Sequence, residues 1–246
     1  MQRRNPKLSK ASFLFQASVS FFGLALVVLL AVNPQVSPEA FAWRKPLVGT
    51  AFATVCALGI LAALSPGRCS GRFRSDLKKT KPFPQISHAS ASALSGHHPK
   101  CSQFSGHVFT VGGRVFCATC SGLLSGAVLA LAGVAAYFFG NLQIGQNALP
   151  AVAVGVVGVA LGLLQSLLPI QKGVMRLFTG AFFVVGAFLI LLGVEELTHD
   201  VFADFFIAAL SILWITTKIS FSKWDHERTC LRCATESCDA KGNPEE

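Results

Sequence analysis

The stretch FCATCSGLLSGAVLALAGVAAYFF, Phe116 to Phe139, joins a pair of cysteines directly to an apolar run that carries no charge. The run is as long as the roughly 20 residues an α-helix needs to cross the hydrocarbon core of a bilayer. Small residues recur along it at Ala118, Gly122, Gly126 and Ala130. That spacing puts them on one helix face, where small side chains let membrane helices approach closely. The stretch therefore reads as a membrane-spanning helix that is shaped for packing and begins at a candidate ligand pair.

Five further runs have the same character. They extend from about Phe13 to Val32, Leu47 to Leu64, Leu149 to Leu168, Val174 to Val194 and Val201 to Ile219, with Ser65-Pro66-Gly67 ending the second. Hydrophobic residues make up 52% of the 246-residue chain and charged residues only 13%. The mean hydropathy is +0.55. Such a balance excludes an ordinary soluble domain. The expected fold is all-α: a polytopic membrane protein of about six transmembrane helices with a small Cys/His loop and a Cys-rich tail. We divide it into an amino-terminal two-span hairpin (1–65), a basic linker (66–95), the Cys/His loop with a four-span bundle (96–219), and the tail (220–246). Short connections predict that consecutive spans of the bundle pack as up-and-down neighbours.

Lysine and arginine set the expected orientation. Arg3, Arg4, Lys7 and Lys10 precede the first span, and Arg68, Arg72, Arg74, Lys78, Lys79 and Lys81 follow the second. Lys172 and Arg176 fall between the fourth and fifth, and Lys218, Lys223, Arg228 and Arg232 near the end. With six spans all these groups share one side, which places both termini in the cytoplasm of a cell-membrane protein. Asn141 to Ala148 is uncharged and Glu195 to Asp200 acidic, as expected of the other side; Arg44 and Lys45 are the exception. A basic start followed by an apolar run also describes a secretory signal with Ala40-Phe41-Ala42 as its cleavage site. The run is too long and the site too distant, so an uncleaved anchor is expected. The net charge of +9 follows from topology and calls for no nucleic acid. The basic loop 68–81 also suits anionic lipid headgroups, at about 1 kcal/mol per basic residue near the surface.

Two Cys/His groups flank the four later spans. The first, GHHPKCSQFSGHVFTVGGRVFCATC, offers His97, His98, Cys101, His107, Cys117 and Cys120. Its VFTVGGRVF segment alternates around a Gly-Gly turn and predicts a β-hairpin. The second, WDHERTCLRCATESC, offers His226, Cys230, Cys233 and Cys238. An even number of crossings between them puts both on the reducing cytoplasmic face, where disulfides are disfavoured. Thiolates with imidazole at these spacings suit a structural zinc ion. The ligands expected are Cys101, Cys117, Cys120 and His97 or His98 for one ion, and His226, Cys230, Cys233 and Cys238 for another, with one ion shared by the two Cys-x-x-Cys pairs as the alternative. Two other readings of Cys117 and Cys120 stay open. They are unliganded thiols, or a redox pair in which the helix start favours a Cys117 thiolate. Iron–sulfur ligation by the tail ranks below zinc because it uses histidine less often.

CATCSGLLSG resembles the Cys-Ala-Arg-Cys-Thr-Gly-x-x-x-Gly signature of the small multi-pass prokaryotic membrane proteins of domain-of-unknown-function family 2085. His97-His98-Pro99-Lys100-Cys101 stands where that family has a Cys-His pair, and Arg176-Leu177-Phe178-Thr179-Gly180 is similar to its Arg-x-x-Thr-Gly. The resemblance covers roughly Gly96 to Leu192. Thr119 replaces the arginine, the His/Cys order is rearranged, and the Cys-rich tail is additional. The resemblance implies a helical bundle with a cytoplasmic metal site and supplies no substrate.

The rest of the chain offers little chemistry. Gly158, Gly162 and Ser166 repeat the small-residue stripe, and Gln165 reads as an interhelical hydrogen-bonding group. Glu196-x-x-His199 has the spacing of di-iron bundles, but the partner carboxylates such a site needs are missing, so an acidic turn is expected. There is no phosphate-binding loop, nucleophile elbow or His-Glu-x-x-His. Spans nearly free of ionisable groups argue against a transporter. The expected role is a membrane-anchored zinc module with an unidentified protein partner, with a thiol oxidoreductase as the alternative.

Overall fold

The computed structural model describes residues 10–36, 43–64, 106–112, 114–140, 142–165 and 172–232. Its helices are α1 (Lys10–Val32), α2 (Arg44–Leu64), α3 (Ala118–Val134), α4 (Ala148–Leu164), α5 (Gly173–Thr198) and α6 (Val201–Arg232). Strands β1 (Val108–Val111) and β2 (Arg114–Cys117) precede α3. A π turn, Ala135–Phe139, continues α3, and a short 3-10 turn leads into α4. All six helices are long and apolar enough to cross a membrane, as the sequence predicts for a multi-pass membrane protein.

The helix ends depart from the apolar runs in a consistent way. α2 begins at Arg44, α5 continues through Glu195 and Glu196, and α6 runs on to Arg232. Apolarity marks where a helix meets lipid, whereas backbone hydrogen bonding carries the helix on wherever polar side chains find partners. Helix α6 therefore includes His226 and Cys230, which the sequence analysis placed in the tail, 220–246.

Helix α5 is the centre of the bundle. Of its membrane window 61% is buried, against 22% for α1, and Ile190, Leu191 and Val194 are wholly enclosed. Consecutive helices α3 and α4 pack chiefly on opposite sides of α5 and touch each other little, so strict neighbour-to-neighbour packing is not observed. Helix α1 lies against α6, α4 and α5, while α2 lies against α3, its π turn and α6.

Apolar burial by itself does not drive helix association in lipid, where close packing and polar contacts decide. The glycines provide the closeness. A Cβ on Gly122 would stand 2.3 Å from Leu177 O, and one on Gly186 would stand 2.8 Å from Gly155 O. The stripe on α3 thus faces α5, and Gly155, Gly158 and Gly162 of α4 face the other side of α5. Helix α1 is fastened to α6 by polar contacts: Ser20 Oγ and Thr217 Oγ1 share a hydrogen bond of 2.8 Å, and Trp214 Nε1 donates to Ser20 O at 3.2 Å. Phe13 stacks on Phe221 nearer the helix ends.

These contacts predict a sharp contrast between two glycines. Gly186→Val forces a branched side chain between two backbones and should cost about 1–3 kcal/mol through overpacking. Gly59 has nothing within 4 Å of its would-be Cβ, so Gly59→Ala should be neutral or stabilise by up to about 1 kcal/mol. Thermal unfolding of the two variants in detergent measures the difference.

Candidate functional site

The predicted hairpin forms, with Val108 opposite Cys117 and Val111 opposite Arg114. Gly112, at φ +56°, supplies the turn, a conformation L side chains rarely take. Phe109 and Phe116 are register partners whose rings stack 5.7 Å apart. The second strand runs straight into α3, so Cys117 is the N-cap residue of that helix and Cys120 lies in its first turn. Cys117 is buried and Cys120 partly buried.

The hairpin is seated on the bundle. A Cβ on Gly173, the first residue of α5, would stand 2.0 Å from Val108 O, so only glycine admits the strand here. Beside it, His107 Nε2 lies 3.1 Å from Asp225 Oδ2 on α6, and Arg176 Nη1 of α5 donates to the same oxygen at 2.8 Å. One carboxylate thereby ties the hairpin, α5 and α6 together. Below it, Lys218 Nζ donates to Gly162 O and Gln165 Oε1, and Gln165 Nε2 donates to Arg176 O at 3.2 Å. A lysine placed there satisfies carbonyl groups at the end of α4 and sits favourably against its dipole. Gln165 is an interhelical hydrogen-bonding group, as read from sequence. Lys218 and Arg176, counted as loop charges, are buried to 2% and 8% exposure. Each has a partner from a different helix, which the sequence could not reveal.

His226 and Cys230 stand one turn apart on α6, immediately beyond Asp225. His97, His98 and Cys101 of the first expected ligand set, and Cys233 and Cys238 of the second, lie outside the described residues. Among the described residues no three His, Cys, Asp or Glu side chains converge in a metal-binding arrangement.

The opposite end of the bundle holds a second polar cluster, which corrects the expectation of an acidic surface turn. Glu195 is completely buried. Arg44 Nη2 and the Tyr137 hydroxyl both donate to it, and Lys45 Nζ is 3.9 Å away. The same hydroxyl, which has a single proton to share, also lies within hydrogen-bond reach of Glu196 Oε2. The π turn presents Tyr137 to this cluster. His199 ends α5 in the left-handed region at φ 51°, with its Nδ1 3.3 Å from Arg44 Nη2. Arg44 and Lys45, the exceptions to the charge pattern, are thus counter-ions to Glu195. The available signal was two basic residues at the head of one span and two acids at the foot of another.

Comparison of the chain with family models, with curated proteins and with solved structures gives no match.

Asp225→Asn should loosen the hairpin from the bundle. Breaking a fully buried ion pair costs about 3–5 kcal/mol. Because the Asp225 side chain keeps 19% of its exposure, solvent screening lowers the expected loss to about 2 kcal/mol. Faster proteolysis within 106–117, with the helical content of the bundle retained, is the accompanying signature.

Proposed function

We propose that this chain is a multi-pass membrane protein that holds structural zinc on its cytoplasmic face and serves as a membrane-anchored interaction module for a protein partner. Cys117 and Cys120, with Cys101 and His97 or His98, hold one ion; His226, Cys230, Cys233 and Cys238 hold the other. The carrying observation is the junction at Cys117, where a hairpin docked on α5 and α6 delivers two thiols one helical turn apart. Two ligands on a rigid hairpin-to-helix junction, with a His-His-x-x-Cys segment shortly before them, satisfy the donor types and spacing of a closed tetrahedral zinc site. Zinc would supply cross-linking there and no reaction.

Two further points support this reading. The stretches that resemble family 2085 meet in space, with Gly122 of CATCSGLLSG against Leu177 of RLFTG and Gly180 against Gly122. The arginine of the second stretch holds Asp225. Burial also weighs against the oxidoreductase alternative, because its proposed nucleophile, Cys117, is only 3% exposed. A thiol that attacks another disulfide must be reachable.

Metal analysis of protein purified under reducing conditions tests the proposal. Wild type should contain zinc, and the double variant Cys117→Ser, Cys120→Ser should lose about half of it if structural sites behave independently. Truncation before Cys233 should remove the other half and leave Asp225 in place. Alkylation of Cys117 should be slow until a chelator is added; fast, metal-independent alkylation would favour the redox pair. A reporter inserted at residue 141 should lie across the membrane from tags at either terminus.

A further inference from the structure

Among the described residues, the end of the bundle away from the hairpin encloses two carboxyl groups, Glu195 and Asp204, and one guanidinium, that of Arg44. Glu195 and Asp204 are each 0% exposed. Glu195 is well provided for, by Arg44, Tyr137 and Lys45. Asp204, in the first turn of α6, is not: among the described residues neither of its carboxyl oxygens has a hydrogen-bond partner. Its charged neighbours are Glu195, Arg44, Asp200 and Lys45. An ionised carboxylate left unpaired in such a place would carry a large desolvation penalty. Ionisable groups inside membrane proteins persist where they have a task.

We propose that Asp204, enclosed at the same end of the bundle as Glu195, is a proton-binding site, and that the Arg44 guanidinium compensates the negative charge left on Asp204 when the proton leaves. The ligand is a proton because the surroundings suit no larger cation. Two basic side chains, Arg44 and Lys45, already occupy the neighbourhood, and no three potential ligands converge among the described residues. A proton needs no coordination shell and neutralises Asp204 where it stands. On release, the O–H bond of the Asp204 carboxyl breaks and the proton passes to water at the rim, where His199 is exposed and the Lys45 side chain is 38% exposed. The carboxylate left behind lies within the electrostatic reach of Arg44, whose Nη1 is buried and, among the described residues, has no hydrogen-bond partner, while Nη2 holds Glu195 and touches His199. The guanidinium thus keeps an unused donor for the second carboxylate while it holds Glu195.

Among the described residues, the titratable groups at this end of the bundle can be named helix by helix. Helix α2 brings Arg44 and Lys45, the π turn brings Tyr137, α5 brings Glu195, Glu196 and His199, and α6 itself brings Asp200. Helices α1 and α4 bring no titratable side chain to this end. The site is independent of the zinc reading, since it lies at the other end of the bundle.

Infrared spectroscopy of the purified protein in lipid nanodiscs at neutral pH tests the proposal. The carbonyl stretch of a protonated carboxyl should be present. It should shift when the protein is made with aspartate labelled by heavy carbon at the side-chain carboxyl, disappear in Asp204→Asn and persist in Glu195→Gln. If Asp204→Asn does not fold, Asp204→Glu serves instead, because the band should then no longer respond to labelled aspartate. Absence of any aspartate-sensitive neutral carboxyl band overturns the proposal. So does a band that vanishes with rising sodium or potassium at constant pH, which would make the site one for a metal cation.

Discussion

The backbone of α5 runs close against the backbones of both α3 and α4, and the rest of the structure depends on that approach. Lipid is as apolar as leucine, so these helices gain little from being apolar and much from fitting together. Glycine on both sides of α5 makes the fit, as at Gly122 against Leu177 and Gly186 against Gly155. With α3 and α4 pressed onto α5, α2 finds its seat on α3 and α1 its seat on α6. The hairpin depends on the same helix, since it rests on Gly173 at the start of α5.

Polar groups are arranged around this core by a second constraint, that nothing buried in a bilayer can look to water for a partner. They gather at the two ends. At one end Asp225 joins His107 and Arg176, while Lys218 serves α4; at the other Glu195 joins Arg44 and Tyr137. On α6 the stretch between Asp204 and Lys218, about 21 Å at 1.5 Å per residue, contains no charged residue. The corresponding stretch of α5 between Arg176 and Glu195 contains none either. Wholly buried Ile207, Trp214, Ile190 and Leu191 lie in these segments. The uncharged middle keeps the two clusters chemically separate.

The candidate sites were legible to different degrees. Hairpin and thiol pair could be read because turn residues, alternation and a Cys-x-x-Cys spacing are local properties of the chain. His107 was visible as a donor, but its attachment to Asp225 joins residues 118 positions apart. The acidic stretch before Asp200 looked like a surface turn because acidic residues between spans usually meet water. What made it a core was Arg44, which arrives from the head of α2, 151 positions away.

The sequence by itself determined that the chain has six apolar helices, roughly where each lies, and that small residues on the third and fourth would mediate packing. Hydrophobic length and residue periodicity are written along the chain, and a bilayer leaves a long apolar run few alternatives to a helix. Only the tertiary structure decided which helix stands at the centre, that α3 and α4 flank it instead of each other, and which charges are buried. Arg44, Arg176, Glu195 and Lys218 look like ordinary terminal charges until partners from distant helices enclose them. Pairing of that kind depends on which faces meet, and a one-dimensional pattern of charge carries no record of it.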